Sequence, residues 1–69
     1  MEQQNNTIEK RVRYSFQICT GKSWSTLMTN GTIAYCYDRT RARAYLPTIL
    51  ANVECDGVRV VEETYWVKA

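Results

Sequence analysis

The stretch Glu9–Thr20 reads EKRVRYSFQICT, and its alternation decides the fold. Val12, Tyr14, Phe16 and Ile18 recur at every second position, with Arg11, Arg13, Ser15, Gln17 and Cys19 between them. A period of two places one set on each side of an extended chain, so this segment is a half-buried β-strand. Thr20-Gly21-Lys22-Ser23 supplies turn chemistry after it. Further on, Trp24–Thr29 and Thr32–Tyr37 flank Asn30-Gly31, the strongest short-range hairpin signal, because both central residues of a type I′ turn require positive φ. Counting outward from that turn sets Thr29 against Thr32, Met28 against Ile33, Thr26 against Tyr35 and Trp24 against Tyr37. One face then carries Trp24, Met28, Ile33, Tyr35 and Tyr37, which are expected to join Tyr14 and Phe16 in the core. The opposite face, with Leu27, Ala34 and Cys36, is expected to remain open.

Asp38 is positioned as an N-cap, and Ala42, Leu46, Ile49, Leu50 and Val53 follow at the spacing of a helical stripe. Pro47 removes one backbone hydrogen bond inside that stripe and predicts a kink or a restart. Asp56-Gly57 ends the segment. The run Val58–Val67 is β-branched and aromatic, and its alternation slips at Glu62-Glu63, predicting a bulge or a strand end there. Met1–Ile8, polar and without period, reads as a disordered tail ahead of a single α+β domain over 9–69. The predicted fold is a small, largely antiparallel sheet of three to four strands with one amphipathic helix on one face, in the order β-β-β-α-β. A crossover from the third strand is expected to return the last strand parallel to it.

A chain of 69 residues buries a smaller fraction of its surface than a larger domain and has little apolar material left for a deep pocket. It contains no His, which removes the commonest general base and metal ligand. Cys19, Cys36 and Cys55 lack the paired spacing of a zinc site and the even number of a disulfide framework, so they read as free thiols in a reducing compartment. Gly21-Lys22-Ser23 resembles the end of a phosphate-binding loop, but the first glycine of that pattern falls at Phe16, and a strand follows where a helix should. These features predict a cytoplasmic protein without cofactor or metal, not an enzyme, and no apolar run is long enough to span a membrane.

Charge marks the candidate binding residues. Arg39 and Arg43 lie one helical turn apart on the same side, Arg41 points elsewhere, and all three oppose the helix dipole, which disfavours cations at a helix start. Lys10–Arg43 holds seven basic residues against one acid, and Glu54–Glu63 holds four acids against one base. Such segregation suits a protein partner with complementary patches. Arg39, Arg41, Arg43, Arg11, Arg13, Lys22 and Trp66 are therefore the candidate partner-binding residues, Trp66 because a surface tryptophan near a chain end is a typical interface anchor.

In size and layout the whole chain resembles the small phage-encoded inhibitors of the anti-CRISPR kind; the resemblance is architectural and carries no motif or site residue. It implies a non-enzymatic module that blocks a large host complex by occupying its surface. Two other readings fit the same residues. One is nucleic-acid binding through the arginine-rich helix start and the basic sheet face, although a pI near 8.5 is low for a dedicated binder. The other is a homodimeric accessory protein paired through the face carrying Leu27, Ala34 and Cys36.

Overall fold

The computed structural model describes residues 7–68. The alternating segment forms β1 (Ile8–Thr20), starting one residue before Glu9; most of the expected tail, Met1–Asn6, lies outside the described residues. Next come β2 (Ser23–Thr26), β3 (Met28–Thr29), β4 (Thr32–Ile33), the helices α1 (Arg39–Ala44) and α2 (Leu46–Asn52), and β5 (Gly57–Lys68). The main sheet has the order β2-β1-β5 and is antiparallel throughout, while β3 and β4 form a separate two-stranded ribbon. The class is α+β, with one bent helical segment on one face.

The Asn30-Gly31 hairpin forms as predicted: φ is 54° at Asn30 and 82° at Gly31, and Met28 faces Ile33 while Thr29 faces Thr32. One further bond of that register forms, from the Ala34 N–H to the Leu27 carbonyl at 3.3 Å, and the predicted pairing stops there. Gly21 adopts φ of 65° and Lys22 does not, the pattern of a type II′ turn, so β2 folds straight back on β1. Thr26 consequently faces Gln17, not Tyr35, and Trp24 faces Cys19, not Tyr37. The earlier strand captures β2 because a two-residue turn already holds the two together.

That change inverts the face assignment after residue 23. Leu27 and Cys36 pack into the core with Phe16, Ala42 and Ile49, whereas Trp24, Met28, Ile33 and Tyr37 are exposed. Cys36 reaches the core because its N–H and C=O exchange hydrogen bonds with Tyr14 at 2.8 and 2.7 Å, which turns both side chains to the helical face. Tyr14, Phe16 and Ile18 occupy the core side as expected, joined across the sheet by Val60 and Val58.

The helical segment breaks where proline dictates. Pro47 falls in the first turn of α2, where its missing N–H costs nothing, and the chain restarts at Tyr45. Ala42 and Ile49 are buried, Leu46 and Val53 are partly so, and Leu50 at the edge of the stripe is exposed. Asp38 takes the N-cap position with extended backbone, but its side chain makes no cap hydrogen bond.

The last strand departs most from expectation. β5 is antiparallel to β1, not parallel to the third strand, and runs without a bulge from Gly57 to Lys68. Glu62 and Glu63 need no irregularity: they project to opposite faces, and each meets an arginine, Arg39 at 3.3 Å and Arg13 at 3.0 Å. Asp56 fastens the start of β5 by donating its N–H to the Cys19 carbonyl and accepting the Gly21 N–H on its carboxylate. The helices cover only the half of the sheet around Phe16 and Val60. Beyond Tyr14, β1 and β5 continue as a bare two-stranded ribbon with Ile8 and Trp66 exposed. Among the described residues, no helix is long and apolar enough to cross a membrane.

Candidate partner-binding surface

The face of the sheet away from the helices carries the odd-numbered residues of β1 and β5. At its centre the Arg13 guanidinium lies between two rings, 4.0 Å from the centroid of Tyr35 and 4.7 Å from that of Tyr65. It also forks onto Glu63, with Nε donating to Oε1 at 3.0 Å and Nη2 to Oε2 at 3.1 Å. The antiparallel register creates this pair by placing Arg13 opposite Glu63. Hydrogen bonding from Arg13 holds the Glu63 carboxyl below its ordinary value of 4.5, against a smaller opposing effect of burial. Its folded value being depressed, the pair's contribution to stability is present above the ordinary carboxylate range and is lost as pH falls through the folded value. In thermal melts across pH, the wild type is therefore expected to exceed Glu63→Gln at neutral pH, with the difference closing in acid. A constant difference at every pH would exclude the ion pair as its source.

Toward β2 a second cation is stacked in the same way. Arg59 lies 4.0 Å over the Trp24 ring and donates from Nε to Gln17 Oε1 at 2.8 Å. Stacking of this type holds a guanidinium flat and spreads its methylenes over the ring. Beside Arg13, the segment after β4 and the start of α1 enclose an open groove of about 390 Å³ lined by Tyr35, Cys36, Tyr37, Asp38, Arg41 and Tyr45. Tyr45 ties the groove to the core, since its ring meets Phe16 edge-on at 6.2 Å. The groove offers phenolic hydroxyls, one carboxylate and one guanidinium on an apolar floor. Among the described residues no cluster of His, Cys, Asp or Glu could hold a metal ion.

The candidate residues separate on the structure. Arg41 lines the groove, whereas Arg39 and Arg43 face the other way into a shallow depression with Tyr14, Val60 and Glu62. Three of the cations are already engaged: Arg39 with Glu62, Arg13 with Glu63, and Arg11 with Glu9 at 2.7 Å. The charge segregation along the chain is therefore partly consumed inside the fold, where arginines of β1 and α1 meet the Glu62-Glu63 pair of β5. Arg41, Arg43 and Lys22 make no ion pair among the described residues, and Lys22 sits exposed in the β1–β2 turn. Trp66 is 62% exposed, far from the groove, on the helix-side face of the bare ribbon. Sequence reasoning missed Tyr35, Tyr37, Trp24 and Arg59, three of them rings assigned to the core. The signal that would have found them is Gly21-Lys22, a two-residue hairpin loop in its own right. No family model, curated protein or solved structure matches this chain.

Proposed function

We propose that this chain is a small non-enzymatic protein-binding module that acts by occupying a surface of a larger partner, using the groove formed by Tyr35, Tyr37, Tyr45 and Arg41. The observation that carries the reading is the balance of burial: among the described residues eight large hydrophobic side chains are exposed, Tyr37 at 65% among them, against four buried hydrophobic residues. Exposed rings beside an unpaired arginine have the composition of binding hot spots. The three free thiols fit a reducing, cytoplasmic setting. The small size and absence of histidine suit a protein that inhibits by steric occlusion, as phage-encoded inhibitors of host complexes do.

Nucleic-acid binding is the competing reading, favoured by the unpaired Arg41, Arg43 and Lys22 and opposed by the neutralised Arg11, Arg13 and Arg39. One capture experiment separates the two. Tagged wild type and a Tyr37→Ala, Arg41→Glu double variant are incubated with native host lysate, each with and without nuclease. The proposal expects a discrete protein retained by the wild type, insensitive to nuclease and lost in the variant. Retention that disappears with nuclease, or that the variant keeps, overturns it.

A further inference from the structure

The outer edge of β5 is unpaired along its whole length, and the hydrogen-bond pattern identifies which groups it offers. Tyr14 spends both its N–H and its C=O on Cys36, and the Phe16 carbonyl accepts from Leu27, so the even-numbered residues of β1 point toward the β2 side. Its odd-numbered residues therefore bond β5, and in the observed register they meet the odd-numbered residues there: Arg13 with Glu63, Ser15 with Val61, Gln17 with Arg59. The backbone groups of Val58, Val60, Glu62, Thr64, Trp66 and Lys68 are left facing outward. None has a partner among the described residues. No proline or bulge interrupts this edge, and an edge of this length without such protection is a template for another strand.

We propose that the strand it takes is β5 of a second copy, paired antiparallel across a two-fold axis at Glu63, to give one continuous six-stranded sheet. Self-complementarity argues for a second copy. The register centred on Glu63 is the one that pairs all six outward residues: Val58 with Lys68, Val60 with Trp66 and Glu62 with Thr64 of the second copy, forming about twelve new backbone hydrogen bonds. Centring the axis on Glu62 would leave Lys68 without a partner in β5 and bring together two Glu62 carboxylates that Arg39 holds through a single bond of 3.3 Å. With the axis at Glu63, the two carboxylates that meet are each already forked by their own Arg13.

The same register covers what each copy leaves bare. The helices of one copy lie over Val58 and Val60, and those residues are the ones placed beside Trp66 and Lys68 of the other. Paired residues in a sheet project to the same side, so Trp66 of the second copy lands on the flank of the helical layer that its own chain does not provide. The exposed ribbon tip and the half-length helical layer are thus two halves of one arrangement. The dimer edge lies across the sheet from Tyr35–Asp38, so the groove stays free and is presented twice; the inference does not depend on what the groove binds.

Sedimentation of the full chain at tens of micromolar tests it, with two variants. Thr64→Pro removes one outward N–H without touching the β1 ladder. Trp66→Glu alters only an exposed side chain and decides the matter if the proline variant fails to fold. The wild type is expected to sediment as a dimer, and Trp66→Glu, with unchanged far-ultraviolet dichroism, to dissociate with affinity weakened on the order of 30-fold or more. A wild type that is monomeric at these concentrations, or a dimer that Trp66→Glu leaves intact, overturns the proposal.

Discussion

Phe16→Ala is expected to destabilise the fold by about 3–5 kcal/mol, the usual range for removing a buried phenyl ring. A domain of this size has a total stability of the same order, so most of the chain should be unfolded at 25 °C. Phe16 is 4% exposed and sits where every layer meets: between Tyr14 and Ile18 along β1, opposite Val60 across the sheet, and edge-on to Tyr45 at the helix junction. With four hydrophobic residues buried among the described residues, the core around Phe16 has little material to close over the cavity. Urea titration followed by circular dichroism measures the loss. Ile33→Ala, on the exposed two-stranded ribbon, is the control and should cost well under half as much. Equal losses at the two positions would mean that the core is not where Phe16 lies.

Ala42→Leu is expected to cost about 1–3 kcal/mol through crowding. Ala42 is fully buried, the single buried residue of α1, and its methyl group sets how closely that helix approaches the sheet. Leucine and alanine have nearly equal helix propensity, so the substitution isolates packing from helix formation. Ala44→Leu, at the exposed end of the same helix, should be close to neutral in the same denaturation experiment. If Ala42→Leu proves equally neutral, α1 is not seated on β1.

The parts of the fold legible in the sequence are those set by neighbours a few residues apart. The period of Val12, Tyr14, Phe16 and Ile18, the positive φ demanded by Asn30-Gly31 and the restart at Pro47 are all local, and all appear in the structure. The partner of β2 is ambiguous in the sequence because two hairpin signals compete for one strand. Gly21-Lys22 and Asn30-Gly31 both fit a tight turn, and Ser23–Thr26 can pair in only one direction. Pairing β2 through Asn30-Gly31 instead of Gly21-Lys22 reverses the faces of Trp24, Leu27 and Cys36 together, since a strand's two faces alternate residue by residue.

The β1–β5 pairing joins residues about fifty positions apart and has no local signature. Its trace in the sequence is the charge division, basic early and acidic late, which along the chain reads as a pair of patches for a complementary partner. Much of it is instead the cross-strand pairing of Arg13 with Glu63 and the contact of Arg39 with Glu62. For the candidate surface, helical geometry correctly separated Arg41 from Arg39 and Arg43. It could not reveal that Tyr35, Tyr37 and Tyr45 would gather beside Arg41, because that depends on the Tyr14–Cys36 bridge between distant segments.

The central claim is that β5 closes the sheet of one copy on one side and meets a second copy on the other. Amide hydrogen exchange, read residue by residue along β5 at two protein concentrations, tests it most directly. The inward amides of Arg59, Val61, Glu63 and Tyr65 should be protected at both concentrations. The outward amides of Val60, Glu62, Thr64 and Trp66 should be protected at high concentration and exchange freely on dilution. Outward amides that exchange freely at both concentrations would contradict the account.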